Sequence, residues 1–360
     1  MLKIAFLLGG FQSNGGIGRV TSIIANSLSE KENINVHTIA YCQTKNPLLY
    51  NLSEKISQHA LFSSSTPMVK ALLFKNAIKK VRKILLEENI DVLIAAGALF
   101  FPLAIHAVRG SKTKCYCWEH TNPDSTSDHK FQGWCRRYAV PRTDKMLVLT
   151  HSAEEYYHQN LHISPDKLTQ IYNPIENTDS NEPYNTDSKK IIAVGRLTYQ
   201  KNFDRLIRIG THILPKYPDW SVDIYGKGEE YQLLAEHISK SGLVGRINLM
   251  GQVNDLYDRY PSYAFQWMTS RYEGFPMSLL EGATHRLPLV SFDIPTGPNE
   301  IIVDGENGFL IDKDNDDRMI ACIEQLIENV DLRKKMSENA YRMVQRFSLS
   351  DIIEQWCEIL

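Results

Sequence analysis

The segment "SRYEGFPMSLLEGATHRLPLVSFDIPTGPNEII", Ser270 to Ile302, sets two carboxylates among apolar neighbours: Glu273 just before "GFPMSLL" and Glu281 inside "LLEGA". The preceding "AFQWMTS" reads as a strand ending near Ser270, and Pro276 suits the first turn of a helix through "MSLLEGATHR". The turn Gly274, Phe275, Pro276, Met277, Ser278 and Leu279 would then offer free backbone N–H groups to phosphate or sugar oxygens. Glu281 would lie roughly 12 Å further along the helical rise, too far for the paired carboxylates of a glycosidase. That separation suits hydroxyls at the two ends of one extended ligand.

Cations that could hold the middle of such a ligand lie in "VGRLTYQKNFDRLI", Val194 to Ile207, where Arg196 and Lys201 fill a strand-to-helix connection. Two cations at the carboxyl end of a strand can clamp a diphosphate, and a nucleotide sugar has a diphosphate between two hydroxyl-bearing ends. Solvated loop charges are the plainer account of the same two residues. Near the amino end, Gly15, Gly16 and Gly18 separate an apolar run from a helical one. Their spacing is neither GxGxxG nor a P-loop, and it serves a plain turn as well as a phosphate contact. His120 closes "KCYCWEH" at a strand end, with Glu119 beside it on the opposite side of an alternating strand.

These residues need strands that end at one rim. "KIAFLLGG" followed by "GGIGRVTSIIANSLSE" reads as strand, glycine loop and helix; "NVHTIAYC", "VLIAAGALF", "KCYCWEH" and "MLVLTHSAEEYYHQN" continue the alternation. The stretch from Ile171 to Asp187 is rich in Asn, Pro and Asp and breaks the pattern, which restarts at "KKIIAVGRL" and runs through "GFLID". The expected class is α/β, with two open parallel sheets and a cleft at their carboxyl ends. The boundaries follow as 1–172 and 173–340 for the two domains, with a helical segment 341–360 free to pack back on the first.

A chain of 360 residues exceeds the usual size of one core, and 43% hydrophobic residues suffice for two. A formal charge of -2 argues against a surface built for nucleic acid. Six cysteines without zinc or redox spacing fit a reducing cytosol. The amino-terminal apolar run turns to glycine too early for a signal peptide, and no later run is long enough to span a bilayer.

With "GGIGR", "WEHTN", "IYNPI", "VGRLTYQKNFDRLI", "YGKGEE", "EGFPMSLLEGA", "PTGPNEII" and "ENGFLI" in place, the chain resembles the retaining glycosyltransferase family 4, whose GT-B fold has two facing Rossmann-like domains. The resemblance covers nearly the whole chain and weakens from Gln43 to Leu93. It implies that Glu273 and Glu281 are the acids of an E-x7-E motif, the first at the transferred sugar and the second at the nucleotide ribose. It implies likewise that Arg196 and Lys201 hold the donor diphosphate, that Gly16 approaches the same phosphates, and that His120 lies near the donor sugar. Same-face attack, with the departing phosphate assisting deprotonation of the acceptor, is also an implication of the resemblance.

The Asp-x-Asp spacings at Asp312, Asp314 and Asp316 precede a helix and read as capping, and no compact zinc pattern occurs, so no metal ligand and no obligatory cofactor is expected. "VKALLFKNAIKKVRKILL", Val69 to Leu86, carries six cations and no acid; it suits docking on an anionic membrane and packing as an ordinary amphipathic helix equally. The expected partners are a nucleotide-sugar donor, with UDP preferred, and a saccharide or glycolipid acceptor. The sites of action are the cytoplasm or the inner face of the membrane. A GDP-mannose-dependent enzyme and a non-catalytic sugar-nucleotide-binding scaffold are the competing readings. Oligomeric state, linkage and acceptor have no signature in the residues.

Overall fold

The computed structural model describes residues 1–11, 16–43, 50–63, 71–123, 130–176 and 183–360. The chain divides into two compact units: Met1–Pro174 with Leu349–Leu360, and Ile175–Ser348.

In the first unit the strands are β1 (Leu2–Leu8), β2 (Ile34–Cys42), β3 (Ser57–Phe62), β4 (Val92–Ala96), β5 (Lys114–Trp118), β6 (Lys145–Val148) and β7 (Leu168–Gln170). Its helices are α1 (Gly16–Ser29), α2 (Ala71–Glu87), α3 (Phe101–Val108), α4 (Lys130–Ala139) and α5 (His151–Leu161). The sheet is parallel, in the order β3-β2-β1-β4-β5-β6-β7, with Ile4 opposite Val36 on one side and Val92 on the other. Strands covered on both faces must be apolar throughout, which is why Ile4 to Leu8 and Val92 to Ala96 are buried without alternation. Helix ends follow local chemistry: Thr150 accepts from Ala153 N–H at 3.1 Å to start α5, and His162 in the left-handed region stops it.

The second unit contains β8 (Lys190–Val194), β9 (Ser221–Tyr225), β10 (Ile247–Gly251), β11 (Phe265–Met268), β12 (Leu289–Asp293) and β13 (Gly308–Asp312). The helices α6 (Phe203–Ile213), α7 (Tyr231–Lys240), α8 (Leu256–Arg259), α9 (Met277–Thr284), α10 (Pro298–Ile301), α11 (Asp316–Glu328) and α12 (Val330–Val344) complete it. Its parallel sheet runs β10-β9-β8-β11-β12-β13. The strand order therefore reverses between β1 and β4 in one unit and between β8 and β11 in the other, the arrangement of a doubly wound nucleotide-binding sheet.

The last helix, α13 (Leu349–Ile359), belongs to the first unit. Trp356 lies 4.9 Å from the Trp118 ring and 5.9 Å from Phe6, all three buried. The returning segment starts at 349 rather than at the expected 341 because Phe347 packs on Phe275 at 5.5 Å in the second unit. Ile175 donates its N–H to the Phe347 carbonyl at 2.9 Å, so the two ends of the second unit lie side by side.

Candidate active site

In the second unit the candidate residues sit on the two connections that leave the carboxyl ends of β8 and β11, beside the strand reversal. Gly195 to Asn202 joins β8 to α6, and Thr269 to Pro276 joins β11 to α9. The two connections are laced together. Arg271 N–H donates to the Gln200 carbonyl at 2.8 Å, the Gln200 amide donates to the Tyr272 carbonyl at 3.0 Å, and Thr269 Oγ1 donates to the Asn202 carbonyl at 3.1 Å. Two glycines make the approach possible. A Cβ on Gly195 would meet Lys201 Cδ and Cε at 2.9 Å, and one on Gly226, at φ 142°, would lie 1.9 Å from the Gly195 carbonyl oxygen.

Within this lacing Lys201 Nζ donates to Glu273 Oε1 at 2.6 Å, with side chains only 14% and 7% exposed. Gln200 Nε2 lies 3.4 Å from the other carboxylate oxygen, and Thr296 Oγ1 holds the Glu273 carbonyl. Arg196 on the same connection is exposed, and no ion pair engages it among the described residues. One cation is thus locked to an acid and the other is open to an anion. Thr198, Ser270 and Ser278 each carry a buried hydroxyl oxygen without a hydrogen-bond partner among the described residues. All three lie on the same two connections or the first turn of α9, where polar ligand atoms would satisfy them.

Pro276 stands at the N-cap of α9, one residue before the first turn in which the sequence pattern put it, because its ψ of 88° is not helical. Gly274 and Met277 are half-buried, as is Ser278; Phe275 is a core residue that can serve a ligand only through its backbone, and Leu279 is a core residue whose N–H, expected to be free, donates to the Pro276 carbonyl at 2.9 Å. Glu281 is buried within α9 and accepts from the Tyr260 hydroxyl at 3.0 Å. His285 stacks on Tyr260 at 5.0 Å and fixes that ring from the other side. Asp316 pairs with Arg205 at 2.7 Å and Arg208 at 3.0 Å while Asn315 caps α11, a structural use of the Asp-x-Asp stretch.

In the first unit His120 lies two residues past the end of β5 and packs on Trp118 at 4.0 Å between ring centroids. Burial pushes its imidazole down to about 3, so it is neutral at ordinary pH, and its Nε2 has no partner among the described residues. Glu119 turns away into the core. Its carboxylate accepts from Arg136 Nε at 2.6 Å, Tyr157 at 2.8 Å and Thr121 Oγ1 at 2.8 Å. Burial alone would raise its pKa, but the Arg136 charge and these donors hold it below the usual carboxylate value. This network positions the backbone on either side of His120, since His120 N–H and Thr121 N–H both donate to Glu119 Oε1 at 3.1 Å. Arg136 and Tyr157 carry no local motif linking them to Glu119; only the apolar context of "WCRRYA" hinted at a buried cation.

Gly16 opens α1 with open space where a Cβ would be, so no steric demand for glycine exists there; Gly15 lies outside the described residues. Val69 and Lys70 of the basic segment also lie outside them. Within α2, Arg82 donates to the carbonyls of His106, Ala107 and Arg109 at 2.8 to 3.1 Å, and Lys80 reaches the Leu61 carbonyl. Lys75, Lys79 and Lys83 remain exposed, while Ala77, Val81 and Leu85 are buried. Among the described residues no helix is long and apolar enough to cross a membrane.

Comparison with known proteins adds to this geometry. Residues 14–178 match the model for Glycosyltransferase Family 4, and residues 174–343 match that for Glycosyl transferases group 1. An uncharacterized glycosyltransferase of Haemophilus influenzae is 28% identical over the full length of both chains. The amylovoran biosynthesis glycosyltransferase AmsD of Erwinia amylovora is also 28% identical, again over all of both. Among solved structures, S. aureus TarM in complex with fondaparinux, alpha-GlcNAc-glycerol and UDP superposes with a TM-score of 0.83 at 16% identity, covering 99% of each chain.

Proposed function

This chain belongs to glycosyltransferase family 4, with the two Rossmann-like units of the GT-B class, and on that premise we propose that it moves a hexose or N-acetylhexosamine from a UDP-sugar to a hydroxyl of a growing surface glycan or lipid-linked saccharide, with retention. The observation that carries the proposal is the Lys201–Glu273 pair, held at 2.6 Å across the β8 and β11 connections where the strand order reverses. The TarM complex contains UDP, and AmsD acts in amylovoran biosynthesis, which favours a UDP donor and a surface-glycan product.

In this reading Arg196 and Lys201 bind the diphosphate, with N–H groups at the start of α9 adding to the positive potential. Glu273 accepts from hydroxyls of the transferred sugar, Glu281 from the ribose, and neutral His120 hydrogen-bonds the sugar. Gly16 lies near the phosphates. The acceptor hydroxyl attacks the anomeric carbon from the face on which the bond to phosphate breaks. The bonding pair leaves with the nucleoside diphosphate, and the acceptor proton passes to the departing phosphate oxygen. Catalysis then rests on stabilising charge that develops on the leaving group, which preorganised cations supply without a protein base. No metal is required by this scheme. The nucleotide donor sets the reaction in the cytoplasm, and the outward Lys75, Lys79 and Lys83 of α2 suit an acceptor held at an anionic membrane face.

The test is slow donor hydrolysis over UDP-Gal, UDP-Glc, UDP-GlcNAc, UDP-GalNAc and GDP-Man with EDTA present, comparing the wild-type chain with Lys201→Ala. Release of UDP from one donor, lost in the variant, is expected. Release from GDP-Man alone would replace the donor assignment with a mannosyltransferase. Binding of UDP or GDP by calorimetry without turnover of any donor would favour the non-catalytic scaffold, and failure to bind either would overturn the nucleotide assignment itself.

A further inference from the structure

His37 and His59 lie on neighbouring strands at the edge of the first sheet, where β3 is outermost. In the register His37 is opposite Ser57, and His59 is opposite Ile39, so the two imidazoles are diagonal neighbours on one face. Glu88 arrives from a third segment, one residue past α2. Its backbone is fixed there by Asn89 in the left-handed region at φ 53° and by Lys3 Nζ, which donates to its carbonyl at 2.8 Å.

His37 Nδ1 and His59 Nε2 are 3.3 Å apart, and His59 Nε2 is 4.0 Å from Glu88 Oε1. One ligand atom from each of the three residues lies within 4.8 Å of the others. A tetrahedral Zn²⁺ with bonds of about 2.0–2.1 Å spaces its donor atoms roughly 3.3–3.4 Å apart. The two nitrogens already stand at that edge length, and the partly exposed carboxylate has to close by about 0.7 Å on His59 and by up to about 1.5 Å on His37.

From this convergence we infer that His37, His59 and Glu88 form a site for a divalent transition metal of the Zn²⁺ class, set apart from the carboxyl ends of the strands. Two imidazoles and one carboxylate select such an ion over Mg²⁺ or Ca²⁺. The His59 and Glu88 side chains are 21% and 38% exposed, which leaves an entry path and room for a water as fourth ligand. When the ion replaces the direct contact between the rings, His59 carries its proton on the other ring nitrogen. The Glu88 charge offsets part of the cation, while Lys3 opposes it, and Asp91 accepts from Lys3 N–H at 2.8 Å nearby. Occupancy would tie the edge strand β3 to β2 and to the end of α2.

The experiment is a ZnCl₂ titration by calorimetry on metal-free full-length protein in a Cys357→Ser background, since Cys357 is an exposed free thiol. One equivalent should bind, and saturating zinc should raise the melting temperature by roughly 5 °C or more. His59→Ala should weaken binding tenfold or more, and the milder Glu88→Gln, at a partly exposed position, should weaken it measurably with the fold intact by circular dichroism. The Co²⁺ adduct should show a visible d–d band without sulfur charge transfer. No saturable binding at about 100 μM zinc, unchanged affinity in both variants, or a thiolate band would each overturn the assignment.

Discussion

Removing the Lys201 ammonium leaves the Glu273 carboxylate, 7% exposed, with the Gln200 amide at 3.4 Å as the remaining side-chain donor among the described residues. Breaking a fully buried ion pair from one side costs about 3–5 kcal/mol. Residual exposure and the Gln200 amide lower that to roughly 2–3 kcal/mol, and at about 2–4 °C per kcal/mol for a unit of this size Lys201→Met should melt about 4–12 °C early. Loss of one preorganised donor to the leaving group costs about 2.7–4 kcal/mol of barrier, or 10²–10³ in turnover. Stability and catalysis are separated by the double variant Lys201→Met with Glu273→Gln. Replacing both charges removes the stranded carboxylate, so stability should return to within about 1 kcal/mol of wild type. Turnover should stay at least about 100-fold down, since neither diphosphate nor sugar regains its contact. Thermal melts and donor hydrolysis on the same preparations give both quantities. A double variant that recovers turnover along with stability would show Lys201 to be only the structural partner of Glu273, and the phosphate assignment would fail.

Glu281→Gln should raise the donor KM about 10- to 100-fold with a smaller change in kcat, because a charged acceptor is lost from ribose binding; equal loss in kcat would place it at the reacting centre instead. His120 has a folded pKa of about 3, depressed from its ordinary value of 6.5, so its contribution to stability is present above 6.5 and is lost as pH falls toward 3. His120→Gln should therefore flatten the decline of melting temperature with falling pH in that window, and an unchanged slope would refute the burial argument. Trp356→Ala empties a fully buried site against Trp118 and Phe6 and should cost about 3–5 kcal/mol in the first unit. Calorimetry should then resolve an early transition from an unshifted second one, and a single unshifted transition would contradict it.

Elements were legible wherever strands are buried on both faces, since "KIAFLL" and "VLIAA" leave no other use for continuous apolar runs. The connections after β8 and β11 were legible as loops carrying Arg196, Lys201 and Glu273, but the pairing of Lys201 with Glu273 spans 72 residues and depends on which strands become neighbours. Glu119 illustrates a different limit. Alternation ends with β5 at Trp118, so the rule that adjacent strand residues point apart no longer governs it, and partners 17 and 38 residues away decide its direction. His37 and His59, 22 residues apart, had no motif because a sheet register brought them together.

The return of α13 to the first unit has a consequence for synthesis on the ribosome. The first unit cannot finish folding until α13 emerges, because Trp356 closes the Phe6 and Trp118 cluster. At about 5–20 residues per second the whole second unit must be translated in between, a delay on the order of ten to thirty seconds. During that interval the Phe6 and Trp118 surface of the first unit lacks its Trp356 cover and is available to chaperones, and a truncation before Leu349 would spoil a domain whose strands lie more than 170 residues upstream.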